Sequence, residues 1–121
     1  MIKYYSAPDI EDQIKEAVSK LSLLHIDFDR ISCIRSIGSK SRRTIARCHA
    51  MSRIFQIALG MKSQYVIEVI SENFDRLPQE EKTKTLIHEL LHIPKSLGGG
   101  FRHHDFVNKK AVDQLYQRYY K

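Results

Sequence analysis

The chain has 121 residues, of which 42% are hydrophobic, so we expect one compact domain over residues 1–121 without room for a second. No apolar run is long enough to span a bilayer, and a charged segment follows Met1 where a signal peptide would be apolar. We therefore expect a cytoplasmic protein with no membrane partner. The net charge of +6 favours anionic partners.

The first predicted element is a helix. Residues 6–9 read Ser-Ala-Pro-Asp, which resembles a capping box with proline in the first turn. Apolar residues then follow at helical spacing, at Ile10, Ile14, Ala17, Val18, Leu21 and Leu24. The pattern predicts an N-terminal helix that ends near His25. We expect neither His25 nor His49 to be a metal ligand.

Residues 30–71 contain short runs of Ile, Val, Phe and Tyr, which predict a small sheet of three or four strands. Alternation is clearest at residues 53–59 and 65–71, and we expect a strand at each. The polar residues 36–44 are typical of a flexible hairpin loop, and residues 60–63 of a tighter turn. Cys33 and Cys48 are too few and too far apart for a zinc ribbon, so we expect buried free thiols.

The same region is basic. No acidic residue occurs between Asp29 and Glu68. The cationic side chains that we expect to form one face are Lys40, Arg42, Arg43 and Arg47. Such a face could bind the phosphates of nucleic acid without sequence preference, through counterion release. The alternative is a solvated charged loop.

The most specific motif follows the sheet. His88-Glu89-Leu90-Leu91-His92 is an H-E-x-x-H sequence, within a helix predicted over residues 79–93. Pro78 and the acidic first turn mark its start, and Pro94 stops it. Histidines four residues apart share a helix face and can bind one zinc ion, with the intervening glutamate beside the open position. The alternative is two surface histidines on an ordinary helix.

A catalytic zinc ion usually has three protein ligands and a water molecule, so a third ligand should follow His92. Residues 93–121 contain no glutamate, and the separation from His92 is too long for a metzincin loop. The three glycines at positions 98–100 can turn the chain back, and a last helix is predicted over residues 105–119. The candidate third ligands are His103, His104, Asp105 and Asp113.

The sequence from His88 to Pro94, followed after the glycine-rich loop by His103-His104-Asp105-Phe106, resembles a small metallopeptidase family of phages and archaea. More distantly, it resembles the SprT-like zincins. The resemblance covers roughly residues 45–121. It implies a minimal zincin-like α+β domain, with an N-terminal helix, a three- or four-stranded sheet, the H-E-x-x-H helix and a C-terminal helix.

The resemblance further implies that His104, directly before Asp-Phe, is the third ligand. It also implies that an edge strand of the sheet borders the cleft and pairs with an extended peptide. The candidates for that strand are residues 53–59 and 65–71.

The predicted function is a zinc metallopeptidase. His88, His92 and His104 would bind Zn²⁺, and Glu89 would act as general base. The oxyanion donor stays open among Tyr65, Arg102, His103, Tyr116, Tyr119 and Tyr120. The alternative is a nucleic-acid-binding module in which zinc only braces the fold, and a third possibility is a protease that cleaves one dedicated protein.

Overall fold

The computed structural model describes residues 1–23, 26–93 and 108–119. In chain order the elements are β1 (Lys3–Ser6), α1 (Pro8–Leu21), β2 (Ile31–Ile37), β3 (Ala46–Ala50), α2 (Arg53–Leu59), β4 (Tyr65–Ile70), α3 (Ser71–Phe74), α4 (Gln79–Leu91) and α5 (Lys109–Tyr119). A short 3-10 turn, Phe28–Arg30, precedes β2. The predicted small α+β fold is confirmed.

The sheet contains four strands in the order β1-β2-β4-β3. β2 and β4 are parallel, whereas β1 and β3 run antiparallel to their neighbours and form the two edges. Because β4 lies between β2 and β3, residues 38–45 join two strands that are not paired, and the predicted hairpin is wrong. The strand predicted at residues 65–71 is confirmed as β4, but it is internal and cannot be the edge strand beside a cleft.

The strand predicted at residues 53–59 is wrong, since these residues form α2. The Ser52 hydroxyl caps the start of α2 by accepting a hydrogen bond from the Phe55 N–H. At the other end Gly60 adopts a φ of 63° and closes the last turn with its own N–H. Alternation misled the prediction because almost every position of this segment is apolar. The helix leaves Ile57 71% exposed and Phe55 60% exposed.

α1 and α4 cover the inner face of the sheet. α1 begins at Pro8 with Ala7 as its N-cap residue, so Ser6 belongs to β1 and the predicted capping box is absent. α1 ends at Leu21 because Ser22 adopts a left-handed φ of 52°. The predicted end of the helix near His25 lies outside the described residues. The largest buried side chains of this core are Ile10, Ile14, Tyr65, Ile67, Phe74, Leu86, Leu90 and Ile93.

α5 closes the other side of α4. Its buried residues Val112 and Tyr116 pack with Leu21, Ile87 and Leu91 in a second apolar cluster. Ala111, Leu115 and Tyr119 are partly buried at the margin of this cluster. The last helix predicted over residues 105–119 is confirmed from Lys109 to Tyr119, and residues 105–107 lie outside the described residues. No helix in the described ranges is long and apolar enough to cross a membrane.

Candidate metal centre

α4 presents the motif as its spacing predicts. The helix begins at Gln79, directly after Pro78, with Glu80 and Glu81 in its first turn. Its buried stripe contains Leu86, Ile87, Leu90 and Leu91. His88 and His92 are half-buried at the border of this stripe, so both imidazoles face solvent on one side and the core on the other.

The two imidazoles converge. The Nε2 atoms of His88 and His92 lie 3.2 Å apart, with the ring planes inclined at 73°. Two nitrogens bound to one tetrahedral zinc ion, each at about 2.0–2.1 Å, would be about 3.4 Å apart. The observed separation therefore fits two ligands of a single metal ion with little movement of either ring.

The third ligand is not found among the residues that the structure describes. Within residues 1–23, 26–93 and 108–119, no three His, Cys, Asp or Glu side chains form a group that could bind a metal ion. Asp113 is in this part of the chain, and its carboxylate instead forms an ion pair with Lys84, 3.1 Å from Nζ to Oδ1. The predicted ligand His104 and its alternatives His103 and Asp105 lie outside the described residues.

Glu89 is buried beside the histidine pair, with only 6% of its surface exposed. Burial raises the pKa of this carboxyl to about 8, and a hydrogen bond from the Cys48 backbone N–H opposes that rise. Both effects arise because Glu89 is a buried residue of α4 and its carboxyl lies next to the backbone of β3. A cation bound by the neighbouring imidazoles would favour the carboxylate form.

The edge strand beside α4 is β3. On one side of the strand the Ile45 carbonyl accepts from the Ile70 N–H, and the Met51 N–H donates to the carbonyl of Gln64, just before β4. In an antiparallel ladder the alternate residues, here Ala46, Cys48 and Ala50, then direct their N–H and C=O groups toward the open edge. The Cys48 N–H reaches Glu89 in this way. The edge strand beside the histidine pair is therefore β3, which was not among the strands predicted for this place from the sequence.

A cavity of about 680 Å³ lies between the start of β3, α4 and α5. His88 and Glu89 line one part of it, and Arg43, Ala46, Thr85, Lys109 and Val112 are among its other residues. Arg43 was assigned to a nucleic-acid face by sequence, and no local signal places it in this cavity. Its position depends on the crossing of residues 38–45 between two non-neighbouring strands.

Three of the tyrosines considered as oxyanion donors serve packing. Tyr65 is fully buried in the sheet. Tyr116 is buried between α4 and α5, where the Lys84 ammonium lies 5.0 Å from its ring centre, and the Tyr119 ring stacks on it. None of the three lines the cavity beside His88. Arg102, His103 and Tyr120 lie outside the described residues.

The cysteines are free thiols, as expected, although only Cys33 is fully buried. Burial raises the pKa of each thiol to about 12, so both are protonated at neutral pH. His49 lies on the outer face of the sheet, with its Nε2 2.8 Å from Glu68 Oε1. Neither cysteine nor His49 joins the histidine pair in a metal-binding group.

The basic segment does not form one face. Arg43 lines the cavity beside the histidine pair, whereas Arg47 is on the outer face of the sheet, 3.9 Å from the Glu68 carboxylate. Lys40 and Arg42 line a different cavity together with Arg76. The predicted single basic surface is therefore wrong, because the chain bends at Arg42 and Arg43 before β3 begins at Ala46, and the four side chains do not lie along one extended segment.

A small α+β fold with converging histidines on one helix is the arrangement expected of a small metalloprotein. Residues 2–120 match the family model described as "Putative phage metallopeptidase", and the chain belongs to this family. Family membership supports a peptidase that uses a metal ion and acts on protein or peptide. Comparison with curated proteins and with solved structures gave no significant match.

Proposed function

We propose that the protein is a zinc-dependent metallopeptidase in which His88, His92 and His104 bind the metal ion and Glu89 is the general base. The observation that carries the proposal is the 3.2 Å separation of the two Nε2 atoms, with the Glu89 carboxyl buried beside them. Imidazole ligands suit zinc, and a hydrolase needs an acid or base next to the metal ion.

Zinc held by these three imidazoles would lower the pKa of a bound water molecule to about 7 and so supply a nucleophile at neutral pH. Glu89 supplies the proton transfer. Its carboxylate takes a proton from the water that attacks the peptide carbonyl, and later gives a proton to the leaving amine. A hydrogen bond from the Cys48 N–H links the Glu89 carboxyl to the backbone of β3.

The edge of β3 that pairs with no strand of the described residues is the proposed binding site for the substrate backbone. An extended peptide can add to such an edge through main-chain hydrogen bonds, independently of its sequence. Cys48 already donates its N–H to Glu89, so the groups available for pairing are the Cys48 carbonyl and the N–H and C=O groups of Ala46 and Ala50.

The proposal is tested by cleavage of a library of unstructured peptides with the zinc-loaded protein, followed by mass spectrometry. We expect internal cleavage that stops when the zinc is removed with a chelator and returns when zinc is added. A variant with Ala46→Pro cannot donate from the edge of β3 and should cleave more slowly with zinc content unchanged. Cleavage that continues in a fully metal-free protein would contradict the proposal.

The competing function is a nucleic-acid-binding module braced by zinc. A structural zinc site needs a fourth protein ligand and no acid held beside the metal. Glu89 is such an acid, and this favours the enzyme. An enzyme that cleaves one dedicated protein is compatible with the same site, so peptide libraries are a better test than a single general substrate such as casein.

A further inference from the structure

A second cavity, of about 610 Å³, lies away from the histidine pair, between the chain that follows β2 and the helix α3. Three cationic side chains line it, from Lys40, Arg42 and Arg76. Arg76 comes from a different part of the sequence, just after α3, so the fold brings together charges that are distant in the chain. We refer to this cavity as the Arg76 cavity.

The loop that forms one wall is held in place. The Asn73 side chain, which is 7% exposed, donates hydrogen bonds to the backbone carbonyls of Ser41 and Thr44, at 2.9 and 2.7 Å. The Ser41 hydroxyl accepts from the Thr44 N–H. The Glu72 carboxylate accepts from the Gly38 N–H at 2.7 Å, where Gly38 adopts a φ of 97°. The loop predicted to be flexible is therefore fixed by α3.

The charges of the Arg76 cavity are not balanced. Within the described part of the chain, Lys40, Arg42 and Arg76 have no ion-pair partner. Among the described residues that line the cavity, Glu72 is the only acidic one, and one of its oxygens already accepts from Gly38. Two positive charges thus remain in excess at one place, next to the serine hydroxyls of Ser39 and Ser41.

We propose that the Arg76 cavity binds the backbone phosphates of a nucleic acid. Two guanidinium groups and an ammonium match phosphate oxygens in charge and in hydrogen-bond donors, and nothing in the cavity is shaped to read bases. Arg43 and Arg47 are not part of this site, because one lines the other cavity and the other contacts Glu68. The site is separate from the proposed peptidase chemistry.

The test compares two variants that each lose two charges. Arg42→Gln combined with Arg76→Gln removes both guanidinium groups of the cavity, and Arg43→Gln combined with Arg47→Gln is the matched control. Binding of fluorescent single-stranded DNA, double-stranded DNA and RNA is measured by anisotropy across a salt series. We expect about tenfold or greater weakening for the first variant, and a log–log salt slope that falls by roughly 0.7–0.9 per lost phosphate contact. The control should change affinity by less than about threefold.

If both variants lost affinity for nucleic acid equally, binding would depend on net charge and not on the Arg76 cavity, and the proposal would be overturned. Absence of binding at low salt by the wild-type chain would overturn it as well. Competition with inorganic phosphate is the third measurement. If millimolar phosphate binds the protein and no oligonucleotide does, the ligand is a small anion and not nucleic acid. All measurements use Glu89→Gln protein alongside the wild type, so that loss of peptidase activity and loss of nucleic-acid binding are distinguished.

Discussion

The backbone N–H of Cys48 donates a hydrogen bond to the side chain of Glu89, and so joins the edge strand of the sheet to the motif helix. Glu89→Gln can keep this bond, because the amide oxygen still accepts, but it cannot take up a proton. We expect folding and zinc content close to those of the wild type and turnover lower by a factor on the order of 10² or more. The measurement is steady-state cleavage of a substrate peptide, with zinc determined in the same samples. Wild-type turnover by this variant would rule out Glu89 as the base.

The proposed ligand set predicts one zinc ion per chain. His88→Ala, His92→Ala and His104→Ala should each weaken zinc binding severely, because two remaining imidazoles hold the metal ion poorly. His103→Ala serves as the control and should have a smaller effect. Metal analysis after dialysis checks this prediction. If the His103 variant loses zinc and the His104 variant retains it, the assignment of the third ligand is reversed.

Arg35 on β2 joins two acidic residues from different elements, with its guanidinium 2.6 Å from Asp9 and 2.7 Å from Asp75. The hydrogen bond from Arg35 holds the pKa of Asp9 below its ordinary value of 3.8. A carboxyl with a lowered folded-state pKa stabilises the fold above its unfolded pKa and loses that contribution as the pH falls through the folded value. Asp9→Asn should therefore be less stable than the wild type near neutral pH, and the difference should shrink below pH 3.8.

Chemical denaturation at several pH values measures this difference. Asp12→Asn is the control, because Asp12 is an exposed carboxylate of the same helix that makes no ion pair with the described residues. A stability difference for Asp9→Asn that persists unchanged at low pH would contradict the role of the Arg35 contact.

Substitutions of two isoleucines test the finding that residues 53–59 form α2 and not a strand. Ile67 on β4 is fully buried, whereas Ile57 on α2 is 71% exposed. Ile67→Ala should lower the free energy of unfolding by about 2–5 kcal/mol, because it leaves a cavity in the core. Ile57→Ala should change it by no more than about 0.5 kcal/mol. If residues 53–59 were a strand with Ile57 packed inward, both substitutions would be costly, and equilibrium unfolding distinguishes the two cases.

The motif helix could be predicted because its signals are local. Pro78, the acidic first turn and the leucine stripe all lie within the helix or next to it, and they agree with one another. The same holds for the core face of α5. At residues 53–59 the local signals conflicted, since apolar residues occupy nearly every position. The caps at Ser52 and Gly60 decided the outcome, and both are visible in the sequence.

The pairing of the strands could not be predicted from local sequence signals. β3 carries small side chains at Ala46, Cys48 and Ala50 between the polar Arg47 and His49, a two-residue period that a search for large apolar residues overlooks. Its place at the edge follows from the insertion of β4 between β2 and β3. That arrangement is a property of contacts between distant segments, and no spacing within residues 30–71 encodes it.

Arg42 and Arg43 are consecutive, yet they line two different cavities. The backbone of residues 41–44 therefore forms a wall of both cavities, and Asn73 holds it by donating hydrogen bonds to the carbonyls of Ser41 and Thr44. A ligand that orders this backbone from one cavity changes the free energy with which a second ligand binds in the other cavity. Thermodynamic linkage makes this change in binding free energy the same for both ligands. If an anion bound beside Arg42 raises the affinity for a peptide beside Arg43, the peptide must raise the affinity for the anion by the same factor.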